Sequence, residues 1–220
     1  MGGVAEERAP LVRNATEADL PAVGALLAEG FAGKFVRIFG ADTGRVPALL
    51  ARFTGLRLRR ELVVVFVAEL DGRTVGVLEI AHGRESMRDR WEQFKIALHE
   101  VGLFTTLRSI IGVILLMEYN EEEQNLAYIS ELAVTAAQRN QGIGAALLAH
   151  AETWAHAHGK RGLSLHVAAG NPAQHLYERA GFQLKERLEA RLERRLFDVE
   201  AWLHMVKAFP EGSGEAAKKT

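Results

Sequence analysis

The chain has 220 residues, 48% of them hydrophobic and 25% charged, which suffices for one substantial core and argues for a single domain. A formal net charge of -1 and a pI near 6.7 supply no general attraction for nucleic acid or an acidic membrane. The absence of cysteine excludes disulfides, thiolate metal sites and a cysteine nucleophile together.

The opening "MGGVAEERAP" lacks a basic flank followed by an apolar run, so it does not read as a secretory signal and a cytoplasmic protein is expected. "LVRNATEADLPAVGALLAEGF" begins as a short strand; Thr16 then offers a helix N-cap with Asp19 three residues on, and Leu20, Val23, Leu26 and Leu27 share one helical face. Residues 40–60 include a second helix that ends in a cationic patch of Arg57, Arg59 and Arg60. "ELVVVFVAELDGRTVGVLEIAHG" is a hairpin turning at Asp71-Gly72.

Residues 84–123 form a helical insertion. Met87, Trp91, Phe94, Leu98 and Val101 recur at spacings of four and three, and Phe104, Leu107, Ile111, Ile114 and Met117 continue the stripe past Gly102 on a second helix or a bent continuation. The run is too short for a membrane span, which needs roughly 20 apolar residues. The stripe is expected to pack on its own sheet or on a twin subunit in a homodimer; a lid over a substrate and a membrane-surface contact are the alternatives.

"LAYISELAV" returns to strand, "GIGAALLAHAETWAHAHG" is a helix ending at Gly159, and "GLSLHVA" is another strand. "PAQHLYERAGF" is a short helix with Gly181 as its C-cap, and strands around "FQLKERL" and "AWLHMVKAF" close the domain. The fold class is therefore α/β (α+β), with a mixed sheet of about seven strands flanked by helices and the insertion at 84–123. An ordered core of about 11–210 leaves "EGSGEAAKKT" as a tail.

Residues Gln138 to Gly144 place backbone N–H groups in a compact turn at a helix start, where unsatisfied donors and the positive end of the helix dipole coincide. Gly142 and Gly144 remove side chains there and Arg139 adds positive charge, so the turn suits a phosphate. Taken alone it suits tight packing against a strand equally well. It is not a nucleotide P-loop, because Gly144 is followed by Ala145 and Ala146 in place of Lys and Ser or Thr. Nor is it a dinucleotide fingerprint, because position 147 is Leu where a third glycine belongs.

"ISELAVTAAQRNQGIGAALL" followed by "LSLHVAAGNPAQHLYERAGF" resembles the GNAT superfamily of N-acetyltransferases, over about residues 126–184. The family signature of Arg or Gln, two residues, Gly, one residue, Gly or Ala is filled by Arg139, Gly142 and Gly144. The second element is matched by Val167, Asn171, Leu176, Tyr177, Glu178, Gly181 and Phe182. The resemblance implies acetyl-CoA as co-substrate, its pyrophosphate on Arg139, Asn140, Gln141, Gly142, Ile143, Gly144 and Ala145. It also implies a pantetheine arm along backbone groups of Leu132, Ala133 and Val134, with an N–H near Val134 polarising the thioester carbonyl.

The resemblance implies acetyl transfer to a primary amine, small molecule or peptide, by direct attack in a ternary complex. Glu131 resembles the family's general base; by strand alternation it shares a face with Ile129 and Ala133, and its other reading is a solvated or paired glutamate at a strand end. Tyr177 matches the tyrosine that protonates the departing sulfur, and its other reading is a half-buried tyrosine satisfied by a neighbour. The family spacing is Asn-x-x-Ala-x-x-Leu-Tyr, whereas "NPAQHLY" has one residue between Asn171 and Ala173; Tyr177 keeps its register, and Asn171, which the resemblance implies as a cofactor contact, is displaced by one residue. His150, Trp154 and His158 lie on one helical face without acidic or cysteine partners, which reads as a solvated face, and no metal is expected. His82, Glu29 and Glu79 are candidates for the border of an acceptor pocket. The competing function is a non-catalytic acyl-CoA-binding regulatory module.

Overall fold

The computed structural model describes residues 9–32, 44–117, 125–190 and 199–210. The expected tail at 211–220 and the outer parts of two expected helical regions, 40–43 and 118–123, lie outside these residues.

In chain order the described elements are β1 (Leu11–Asn14), α1 (Leu20–Gly30), α2 (Val46–Arg59), β2 (Val63–Leu70), β3 (Arg73–Ala81) and α3 (Met87–Met117), then β4 (Leu126–Val134), α4 (Ile143–Ala157), β5 (Gly162–Ala168), α5 (Ala173–Arg179), β6 (Gln183–Glu189) and β7 (Ala201–Ala208). The strands form one mixed seven-stranded sheet in the order β1-β2-β3-β4-β5-β7-β6. Its pairs are antiparallel except β4–β5, which are parallel and joined across α4. The β2–β3 turn places Asp71 at φ 50° and Gly72 at φ 73°, the positive dihedrals of a tight two-residue hairpin.

Each face of the sheet has its own apolar cluster. On one face α4 lays Leu147, Leu148 and Ala151 over Phe66, Leu78, Ile80, Ile129 and Leu165. On the other, α1 lays Val23, Leu26 and Leu27 over Val65, Val67, Val77 and Ala133. Asp19 does more than cap α1. It accepts both guanidinium nitrogens of Arg13 at 2.8 Å, and that guanidinium holds its carboxyl well below the ordinary carboxylate range.

The insertion corrects one expectation. Of the two packings expected, the one on its own sheet is not seen over residues 87–98: Met87 is 78%, Trp91 60% and Leu98 38% exposed, and Trp91 stacks on Phe94 with ring centroids 5.3 Å apart. The polar edge of α3 turns inward instead, because α2 meets it with arginines: Arg52 pairs with Glu100 at 2.9 Å and Arg60 with Glu92 at 3.0 Å. The expected cationic patch at 57–60 is likewise spent on acidic partners. Gly102, at φ 78° and ψ 169°, breaks α3 into two helical parts. No described helix is long and apolar enough to cross a membrane.

Candidate active site

The parallel pairing of β4 with β5 runs only from Leu126–Gly162 to Ile129–Leu165. Beyond it β4 continues to Val134 and β5 to Ala168 without pairing, so the sheet opens between them. One cavity of about 1780 Å³ occupies this opening and reaches both faces of the sheet. On the α4 face it is lined by the turn at 138–145 and by α5; on the α1 face it is lined by α1, α2 and the start of α3.

A bulge sets which side chains enter it. Glu131 pairs with Glu79 but Ile129 pairs with Ile80, so Ser130 is the extra residue in β4. Alternation is reset there. Ala127 and Ile129 join the α4-side cluster, as do Leu132 and Val134, while Ala133 joins the α1-side cluster. Glu131 therefore shares a face with Glu79 and Ala133 and not with Ile129, which corrects the sequence reading. The phase change is visible in "LAYISELAV" as the polar pair Ser130-Glu131 between apolar positions of odd and even number.

The backbone of β4 is sorted in the same way. Thr135 donates its N–H to the Val75 carbonyl at 3.0 Å, which turns the backbone groups of Ala133 and Glu131 toward β3 and those of Leu132 and Val134 toward the opening. Of the three backbone positions expected along the cofactor, Ala133 is thus directed elsewhere, with its Cβ at α1 where a Cβ on Gly30 would come within 2.9 Å. The Val134 carbonyl already accepts Arg139 Nε at 3.1 Å.

In the turn, Asn140 (φ 63°) and Gly142 (φ 77°) adopt left-handed backbone, and α4 makes its first bond from Ala146 N–H to the Gly142 carbonyl at 2.9 Å. The N–H groups of Ile143, Gly144 and Ala145 precede that bond and have no acceptor within the helix. The two glycines serve different needs. A Cβ on Gly142 would meet nothing within 4 Å, leaving the backbone open to the cavity. A Cβ on Gly144 would lie 2.8 Å from Leu176 Cδ2, so that glycine lets α5 pack against α4. Ile143 buries its side chain in the core and brings only its backbone to the site. Gln141 is directed away from the cavity and donates Nε2 to the Ala137 carbonyl at 3.4 Å.

Tyr177 is 7% exposed and lines the cavity from α5. Two bonds end that helix, from Gly181 N–H to the Glu178 carbonyl and from Phe182 N–H to the Tyr177 carbonyl, both at 3.0 Å. Phe182 then sets its ring edge-on to Tyr177 at 5.8 Å, so the Gly-Phe pair fixes the tyrosine. Burial, and after it the Glu131 charge, pushes the Tyr177 hydroxyl up to about 12. Asn171 is accounted for locally: its Oδ1 accepts Ala173 N–H at 2.9 Å and caps α5.

Glu79, one of the three candidates for the acceptor border, lines the cavity, and Tyr128 and His166 join it there without having been singled out from the sequence. Glu79 is fully buried, with Oε1 accepting Thr54 Oγ1 at 2.8 Å and Oε2 accepting Arg57 Nη1 at 3.1 Å. Tyr128 and His166 face each other across β4 and β5, the hydroxyl 3.3 Å from Nδ1. His166 stacks on His204 at 4.6 Å, and burial followed by that neighbour lowers its pKa to about 4. Burial and then Glu131 raise the Tyr128 hydroxyl above its ordinary value. A carboxylate inside the apolar run "VGVLEIA" was the available signal for Glu79; Arg57 and Thr54 share no local pattern with it.

Other candidates fall elsewhere. Glu29 accepts Ala136 N–H at 2.6 Å and Thr135 Oγ1 at 3.1 Å, at the phosphate-ready end of the site. His82 packs against Trp154 on the α4 side. The helical face of His150, Trp154 and His158 is solvated only at its end: His150 and Trp154 are half-buried, with His150 edge-on to Phe66 at 4.7 Å, while His158 is exposed and stacks on Trp154 at 4.1 Å. Among the described residues no cluster of three metal-ligating side chains occurs.

The family model described as Acetyltransferase (GNAT) family matches residues 81–182, from the end of β3 to Phe182. No curated protein matches the sequence. Solved structures share the architecture. A protein described as histone acetyltransferase HPA2 and related acetyltransferase from Corynebacterium glutamicum gives a TM-score of 0.62 at 23% identity, over 93% of this chain and 99% of that one. Ribosomal-protein-alanine N-acetyltransferase from Brucella melitensis gives 0.58 at 22% identity, over 90% and 99%. PaiA N-acetyltransferase from Thermoplasma acidophilum, in complex with coenzyme A, gives 0.57 at 13% identity, over 92% and 100%. At such identities the likeness speaks for the fold.

Proposed function

From the match of residues 81–182 to the GNAT family model and the architecture shared with solved acetyltransferases, we propose that the chain is a GNAT acetyltransferase that transfers the acetyl group of acetyl-CoA to a primary amine by direct attack within a ternary complex. The observation that carries this reading is the continuity of the cavity. It joins the open Gly142 turn on one face to Glu131 on the other, with the buried Tyr177 hydroxyl along the way. Acetyl-CoA, when bound, supplies an activated acyl thioester.

The residues divide the remaining work. The N–H groups at the start of α4, together with Arg139 and Asn140, hold the pyrophosphate. Backbone groups of Leu132 and Val134, turned into the opening, hold the pantetheine arm as a further strand would be held. The Val134 N–H is the candidate donor to the thioester carbonyl, since its own carbonyl is occupied by Arg139.

Glu131 receives the proton of the attacking amine. Tyr177 keeps its proton throughout the neutral range, being pushed up to about 12, and is therefore a donor toward the departing sulfur. The two are coupled. Glu131 as a carboxylate opposes ionisation of Tyr177, and once Glu131 has taken the amine proton that opposition is gone. Proton uptake at one residue thus eases proton release at the other. The chain contains no cysteine that could carry the acyl group on the enzyme.

The test is release of free thiol from acetyl-CoA in the presence of an amine panel, with the acetylated amine identified by mass spectrometry. Amine-dependent thiol release is expected. Tight acetyl-CoA binding with no thiol release from any amine would leave the non-catalytic binding module in its place.

A further inference from the structure

The acceptor-side lining speaks to the kind of amine, on the premise that the transfer reaction proposed above is correct. Its ionised side chains are balanced. Arg57, Arg84 and Arg90 face Glu79, Glu85 and Glu131, three against three. The carboxylates on the α2 side are also engaged. Glu79 is satisfied by Thr54 and Arg57, and Glu85 accepts Gln93 Nε2 at 3.0 Å with Arg57 Nε 3.7 Å away. A second ammonium on the acceptor would find no surplus of negative charge here, and a polycation would gain little from the field of the site.

The rest of the wall is apolar. Leu27 from α1, Phe31 at the end of that helix, and Leu50 and Phe53 from α2 line the same end of the cavity. Leu27 is buried and the other three are half-buried, so they keep apolar surface that an occupant would remove from water. Glu131, on the α1 face of the sheet, lines the same cavity. An acceptor that fits puts one amino group at Glu131 and lays an apolar body against these four side chains.

We propose that the acceptor is a monoamine carried on an apolar body, selected by Leu27, Phe31, Leu50 and Phe53, and not a polyamine or aminoglycoside. Each methylene buried against the wall multiplies kcat/KM by about three to four, the equivalent of the transfer free energy of one CH₂ group.

The experiment is a homologous series from ethylamine to octylamine, with phenethylamine, spermidine and an aminoglycoside, followed by thiol release at saturating acetyl-CoA with the full chain. Calorimetric titration of the same amines into protein saturated with coenzyme A runs beside it. A progressive rise in kcat/KM and in affinity along the series, with spermidine far below octylamine, is the expected result. Phe53→Asp should flatten the rise while leaving acetyl-CoA affinity unchanged, which also reports that the variant is folded; should it not fold, the series with the native chain decides alone. A flat series, or spermidine and the aminoglycoside bound and turned over best, overturns the selection by the apolar wall and leaves the transfer reaction standing. Absence of thiol release from every amine overturns the transfer reaction, and the calorimetric series still decides which amines the apolar wall accepts.

Discussion

The two ends of the cavity are built by different means. The end at 138–145 is made of backbone: consecutive N–H groups in one turn, held by two left-handed residues and the first turn of α4. The acceptor end is made of side chains that converge from α1, α2, β3, β4 and the start of α3. A backbone site is specified by a short run of sequence, whereas a convergent site is specified by the fold. In the proposed function the first holds a feature shared by many ligands, a pyrophosphate, and a site of the second kind is free to differ from one protein of an architecture to another.

The largest expected effect belongs to the junction of the two ends. Glu131→Gln keeps the shape and removes the proton acceptor, and kcat should fall about 10²-fold or more with acetyl-CoA affinity unchanged. Steady-state kinetics beside calorimetry would check it; full activity in the variant would return Glu131 to the role of a paired strand-end glutamate.

Next in size is a change at the acceptor end that acts through burial. Arg57→Ala leaves the fully buried Glu79 with only Thr54 as partner, and should cost about 3 kcal/mol of stability, read by chemical denaturation. A loss well under 1 kcal/mol would show that the Glu79 site tolerates an unpaired acid.

At the backbone end the equivalent packing change should be milder. Gly144→Ala brings a Cβ to 2.8 Å from the end of the flexible Leu176 side chain, costing about 1 kcal/mol of stability with acetyl-CoA affinity held. A large affinity loss with intact stability would mean that Gly144 exists for the ligand and not for α5.

A further effect, spread over a range of pH, arises at the wall of the opening. The folded-state pKa of His166 is lowered to about 4 from 6.5, so the unfolded chain binds the extra proton between those values and stability falls as pH drops through that window. Denaturation midpoints across the window should show part of this slope removed in His166→Gln. An unchanged slope would place the titration elsewhere.

Much of the architecture was legible because it is written locally. The Asp71-Gly72 turn, the Gly142 and Gly159 boundaries of α4 and the Gly181-Phe182 end of α5 each follow from residues within a few positions of one another. The same holds for the placement of Tyr177. The acceptor end was not legible, because nothing in "FTGLR" says that Thr54 and Arg57 meet Glu79 from a strand more than 20 residues on. The face of Glu131 was misread for a different reason: strict alternation has no room for an extra residue, and the Ser130 bulge inserts one. The exposed first half of the α3 stripe shows the converse. Apolar spacing marks a helical face, but the arginines of α2 decided which face turned inward.

The central claim is that the donor is held by the open turn and that Tyr177 serves its departing sulfur, and acetyl-CoA binding by three proteins tests it most directly. By calorimetry, the native chain should bind one acetyl-CoA, and Gly142→Asp should weaken that binding about tenfold or more by placing negative charge at the phosphate site. Tyr177→Phe should bind as the native chain does while its turnover falls. Undiminished affinity in Gly142→Asp would contradict the placement of the donor on this turn, and a large loss of affinity in Tyr177→Phe would make its hydroxyl a holder of the ligand in place of a proton donor.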